Sequence, residues 1–171
     1  DDKGEWVLIN GNQTCLIFLY YIIKNRIAMG KMQPNDFIVK TIVTTEMARK
    51  VAEANGVTCC DTFTGFKFMA EKKNALEASG EGKVIFSYEE SYGYMIGHYV
   101  RDKDAVTASM LIAEMAAYYR TQGKTLYDAM EEMYEKYGCY CEQTISIVMP
   151  GVSGLQRMKE LMQELRDKPL T

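Results

Sequence analysis

Phe37-Ile38-Val39-Lys40-Thr41-Ile42-Val43 opens the stretch that decides the fold. It is a β-branched run, and Thr45-Glu46 then leads a helical pattern with Met47, Val51 and Ala54 on one stripe, stopped by Asn55-Gly56. The alternation repeats at once. Val57 to Thr62 reads as a second strand, Thr64-Gly65 punctuates it, and a helix from about Phe66 to Ala78 turns Met69 and Leu76 inward. Ser79-Gly80-Glu81-Gly82 is a loop, and Lys83-Val84-Ile85-Phe86-Ser87-Tyr88 is the third strand of the series. Strands alternating with helices over short connections predict a layered α/β domain.

Outward from this centre the pattern continues both ways. Toward the N-terminus, Trp6-Val7-Leu8-Ile9 reads as a short strand and Asn10-Gly11-Asn12 as a turn. Asn12 or Thr14 then caps a helix to about Met29, apolar nearly all round between Cys15 and Ile23. Toward the C-terminus, a glycine-bearing loop leads to Asp104, which caps a long helix to about Gln122. Thr125 caps another from Leu126 to Tyr137. Gln143 to Val148 then reads as a strand, broken by Pro150-Gly151. Ser153 or Gly154 starts an amphipathic helix with Leu155, Met158, Leu161, Met162 and Leu165 on one side, closed by Pro169. No internal repeat or low-complexity tract is present.

The 171 residues suffice for one domain with a flanking segment. Charged residues make up 25% and the net charge is −3, which argues for a folded chain and against a broad basic face for nucleic acid. No apolar run reaches the length of a membrane span, and no secretory signal is visible. The five cysteines are Cys15, Cys59-Cys60 and Cys139-x-Cys141, and His98 is the only histidine. This is not a zinc-site spacing, so reduced thiols in a cytoplasmic protein are expected.

Two loops carry residues that could do chemistry. The first is Tyr88-Glu89-Glu90-Ser91-Tyr92-Gly93, followed by His98 and by Arg101-Asp102-Lys103-Asp104. It lies where a strand ends and a long helix has yet to begin, the place where open α/β sheets bind ligands. Carboxylates accept from sugar hydroxyls, Ser91 donates or accepts, and Lys103 or Arg101 can meet a phosphate. Composition alone favours a plainer reading, a solvated turn with incidental ion pairs. The second loop is Thr62-Phe63-Thr64-Gly65-Phe66-Lys67, where Gly65 would let the backbone approach a ligand at a helix N-terminus. On its own this is an ordinary glycine-assisted turn. His98 has no nucleophile elbow near it, and no DxDxDG cation loop occurs.

Taken in order, the motifs resemble the α-D-phosphohexomutase superfamily, in its phosphoglucomutase/phosphomannomutase branch. They are Gly11-Asn12-Gln13, Lys40-Thr41-Ile42-Val43-Thr44-Thr45, Thr64-Gly65-Phe66-Lys67-Phe68, Glu89-Glu90-Ser91-Tyr92-Gly93 and Arg101-Asp102-Lys103-Asp104-Ala105-Val106. The ordered set spans nearly the whole chain and reverses the preference for a solvated turn. The resemblance implies a three-layer α/β/α sandwich with a small mixed sheet. It divides the chain into the end of family domain two (1–30), domain three (31–140) and the approach to domain four (141–171).

The family's reaction moves a phosphoryl group between O1 and O6 of a hexose through a phosphoserine. By resemblance, Glu89 and Ser91, with Glu90 beside them, hold sugar hydroxyls, and Thr64 and Gly65 help orient the sugar. Lys103 corresponds to the active-site lysine; Arg101 is kept as a further substrate-binding candidate on its charge alone. The implied cofactors are Mg2+, whose ligands lie outside this chain, and a glucose 1,6-bisphosphate-type intermediate or activator. The implied partners are a hexose phosphate and the remaining domains of the parent, with no nucleic acid and no membrane. The phosphoserine, magnesium and domain-four phosphate loops have no counterpart in this sequence. Such a fragment is expected to be inactive alone. The alternative is a free-standing, non-catalytic module that binds sugar phosphates or partners.

Overall fold

The computed structural model describes residues 3–143 and 145–168. The chain divides into two units, 1–140 and 141–171. In the first, helix α1 (Gly11–Ala28) precedes strand β1 (Asp36–Thr41), α2 (Met47–Glu53), β2 (Thr58–Thr62), α3 (Phe66–Ser79) and β3 (Lys83–Glu89). Strand β4 (Gly93–Ile96), α4 (Ala105–Thr121) and α5 (Leu126–Tyr137) complete it. The sheet runs in the order β2-β1-β3-β4, with β1 parallel to β2 and β3, and β4 antiparallel to β3. Helix α3 covers one face alone; α1, α2, α4 and α5 cover the other. This is a three-layer α/β/α sandwich on a small mixed sheet.

Composition explains the layers. Helix α1 is apolar on nearly every side because it lies between the sheet and α2, α4 and α5, with Leu16, Ile17, Phe18, Leu19 and Ile23 all buried. Burial of each such side chain stabilises by about 1.5–3 kcal/mol. Asn10 caps the helix, accepting from the Gln13 N–H, while the Gln13 side chain accepts from the Asn10 N–H. Asp104 and Thr125 cap α4 and α5 at the residues that the sequence points to. The opposite face is smaller: Val39, Val84 and Met95 meet Phe66, Met69 and Leu76 of α3.

Two local features matter further on. Between Phe37 and Ile38 of β1, the facing strand β3 carries one extra residue, so that Phe37 pairs with Val84 and Ile38 with Phe86. Val84 therefore faces α3, whereas Ile85, Phe86 and Tyr88 pack toward α1. Lys40 of β1 is fully buried, and its Nζ lies 2.7 Å from Glu46 Oε1, 3.0 Å from Asp61 Oδ1 and 3.1 Å from the Thr44 carbonyl. A buried ammonium requires such partners, and these hold the turn after β1 against β2.

Some expectations differ. Residues 6–9 are not a strand; nothing among the described residues pairs with them, and Trp6 is fully exposed. Strand β4 falls where a loop is expected, because its four residues follow a turn rich in glycine and tyrosine. In the second unit Thr144 and Pro169 lie outside the described residues, and the described part of 143–148 forms no strand. There α6 (Gly151–Asp167) carries Leu155, Met158 and Met162 exposed along one side. No described helix is long and apolar enough to cross a membrane.

Candidate functional site

Strands β1, β2 and β3 run parallel, so the turns that follow them gather at one end of the sheet. Glu89 is the last residue of β3. Its Oε1 accepts from the Gly65 N–H at 2.7 Å, at the N-terminus of α3, where the helix dipole and unpaired amides favour a carboxylate. Gly65 has φ +114°, a backbone region closed to residues with a Cβ, which explains the glycine of that turn. The Glu89 carbonyl in turn accepts from Cys15 Sγ of α1 at 3.3 Å.

Gly93 makes room for the other side of Glu89. A Cβ at Gly93 would lie 3.2 Å from Glu89 Oε2, 3.2 Å from Lys103 Cδ and 2.7 Å from the Phe66 ring. Carboxylate, ammonium stem and ring thus converge over one glycine. The Lys103 ammonium sits 4.6 Å from the Phe66 ring centroid and 3.1 Å from Asp102 Oδ1, and it is more than half exposed. Hydrogen bonds from the Lys103 backbone N–H and ammonium, with the ammonium's charge, hold the Asp102 carboxyl below the ordinary carboxylate range. The loop is tied back where the Asp104 N–H donates to the Tyr94 carbonyl at 2.9 Å.

The structure thus brings Glu89, Gly65 and Lys103 together. Ser91 and Thr64 are exposed at the tips of their turns. Tyr92, beside Ser91, holds φ +63°. Glu90 turns back into the molecule, its Oε2 accepting from Thr44 Oγ1 at 3.2 Å and Thr41 Oγ1 at 3.3 Å. Arg101 points toward α3: Nε donates to Asn74 Oδ1 and Nη2 to Glu77 Oε2, both at 2.7 Å, and Nη1 donates to the carbonyls of His98 and Val100. A groove of about 420 Å3 beside β2 is lined by Ile42, Phe63, Phe68 and Lys72 and not by Glu89 or Lys103.

The other reactive groups are packed away. Burial pushes the Cys15 thiol far above the ordinary thiol range and Cys59 up to about 12, so neither is a thiolate at neutral pH. Among the described residues, no three His, Cys, Asp or Glu side chains converge to hold a metal ion. Thr41, Thr44 and Phe66 stand in the quoted motifs, but the sequence reading gave them no individual role. Two hydroxyls three residues apart, the first ending a parallel strand, were the available signal.

Comparison with known proteins bears on the family and the fold. The family model for phosphoglucomutase/phosphomannomutase, alpha/beta/alpha domain III, matches residues 10–137. Phosphoglucomutases of two Staphylococcus aureus strains, bovine RF122 / ET3-1 and MSSA476, are each 32% identical over 169 residues, 99% of this chain. The chain spans 30% of their length. Among solved structures, a "putative phosphomannomutase" from Thermus thermophilus superimposes with a TM-score of 0.58 at 24% identity, over 76% of this chain and 26% of that one. The open form of the Paramecium phosphoprotein pp63/parafusin, a phosphoglucomutase, gives 0.56 at 18% identity, over 78% and 22%. At those identities the two structures speak for the fold alone.

Proposed function

The chain belongs to the phosphoglucomutase/phosphomannomutase family, and on that premise we propose that it is the sugar-holding part of a cytoplasmic phosphohexomutase. The parent moves a phosphoryl group between O1 and O6 of a hexose phosphate. The observation that carries this reading is the convergence of Glu89, Gly65 and Lys103 at the carboxyl end of the sheet.

Each group has a role in the proposal. Glu89, held by the Gly65 amide, keeps its second oxygen beside Gly93, on the side where the Lys103 stem also lies, and accepts from sugar hydroxyls there. Ser91 and Thr64 add hydroxyls from the two exposed turns. Lys103 places a positive charge beside a phosphoryl group, which lowers the energy of the charge that builds during transfer. Arg101, expected as a further phosphate contact, has its guanidinium committed to Asn74, Glu77 and the carbonyls of its own loop, so its role in this reading is to set the position against α3 of the loop that carries Lys103. The substrate must bind in two opposite senses, one for each end of the hexose. A loop that grips hydroxyls common to both senses permits that. The serine that carries the phosphoryl group, any Mg2+ ligands and the bisphosphate's second phosphate site belong to other parts of the parent.

The test is conversion of glucose 1-phosphate to glucose 6-phosphate by the full-length protein that carries this chain. Glu89→Gln and Lys103→Met are each expected to lower kcat/KM by about 100-fold or more. Activities within twofold of the parent for both variants would overturn the assignment. Binding of hexose phosphate by the full-length protein without turnover would favour the non-catalytic module instead.

A further inference from the structure

The two adjacent glutamates of the loop face different neighbours, and the second of them has a role that the sugar reading leaves open. Glu90 Oε2 lies 3.2 Å from Thr44 Oγ1 and 3.3 Å from Thr41 Oγ1, and those hydroxyls are 2.7 Å apart. Both threonines are buried, Thr41 at 0% and Thr44 at 2% exposure. Their turn is held independently. The Thr44 N–H donates to the Thr41 carbonyl at 3.0 Å, and the Thr44 carbonyl accepts from the buried Lys40 ammonium at 3.1 Å. The Thr45 N–H donates to Asn12 Oδ1 of α1 at 3.1 Å. Behind the loop, the Glu90 carbonyl rests on Gly11, so close that a Cβ there would come within 1.5 Å of it.

We infer that Glu90 is a positioning residue, clasping the loop to the Thr41–Thr44 turn so that Glu89 and Ser91 stand at a fixed height at the carboxyl end of the sheet. The inference rests on the sugar-loop reading of Glu89 given above. Its physics is simple. Two buried hydroxyls supply two protons, and a carboxylate facing them accepts at least one in a charge-assisted bond. The anchor is rigid because Lys40 and Asn12 hold the turn from the other side. A glutamine at position 90 keeps a carbonyl oxygen for the same hydroxyls, whereas an alanine leaves them facing a gap.

These features dictate the experiment, in the full-length protein. Variants Glu90→Ala, Glu90→Gln, Thr41→Val with Thr44→Val, and Glu90→Ala combined with both valines are compared by two readouts. One is amide hydrogen exchange over residues 89–93; the other is KM and kcat for glucose 1-phosphate. Glu90→Ala and the valine pair are each expected to speed loop exchange about tenfold, the worth of one hydrogen bond to a charged group, and to raise KM more than they lower kcat. The combined variant should add less than about twofold to either, since one clasp is removed both times. Glu90→Gln should stay within about threefold of the parent in both readouts. Unchanged loop exchange in Glu90→Ala, multiplied effects in the combined variant, or Glu90→Gln as impaired as Glu90→Ala would overturn the clasp. A full-length protein with no hexose phosphate turnover would overturn the mutase reading instead, and the exchange measurement would still decide the clasp.

Discussion

Replacing Gly11 by alanine adds one methyl group at the start of α1, a change that in an open helix stabilises by up to about 1 kcal/mol. Here the methyl would overlap the Glu90 carbonyl. The expected outcome is therefore reversed: Gly11→Ala destabilises this chain by about 2 kcal/mol or more, read as a lower urea midpoint. An unchanged midpoint would mean that the loop does not rest on α1. At this scale the sequence is informative about which residues can touch a ligand and silent about what holds them. Glu89, Ser91 and Lys103 stand out through their motifs. Thr41 and Thr44 also lie in a motif, but their pairing with Glu90 is hidden, because Thr41 lies 49 residues away and only the strand pairing makes them neighbours.

Helix α3 shows how an element is pinned over the sheet. Lys73 is buried, with its Nζ 3.0 Å from Glu77 Oε1 and 3.3 Å from the Val84 carbonyl; Glu77 Oε2 also receives Arg101. Burial raises the Glu77 carboxyl, but the Lys73 hydrogen bond and the charges of Lys73 and Arg101 outweigh it and hold the group below its ordinary value of 4.5. A carboxyl lowered by folding stabilises the folded state above its unfolded value, and that contribution fades as pH falls through the folded one. Glu77→Gln is accordingly expected to cost about 1–3 kcal/mol at neutral pH, with the gap to the parent narrowing below about pH 4.5 in urea titrations. A gap that is constant with pH would remove the ion pair from the account. Most elements were legible because periodicity and caps agree, as at Asp104 and Thr125. Trp6–Ile9 and β4 were not, since a strand exists only where another pairs with it, and pairing is not a local property.

Across the whole molecule, the ordered motifs were enough to read the family, because each marks a turn at the same end of the sheet. What they cannot supply is the rest of the relatives' length, of which this chain spans 30%. Supplied with glucose 1-phosphate and glucose 1,6-bisphosphate, the chain alone is expected to show no turnover, while the full-length protein converts the substrate; a coupled dehydrogenase assay distinguishes the two. Turnover by the chain itself would contradict the placement of the phosphoryl-carrying serine elsewhere. The extra residue in β3 bears on how such a site survives change. A pleat counts in twos, and Ile85 alters the parity of everything after it, so that Tyr88 goes to the α1 side and Glu89 to the N-terminus of α3. Losing one residue between Val84 and Glu89 would exchange those addresses without altering a single functional side chain. The site therefore tolerates a change of letter along β3 more readily than a change of length.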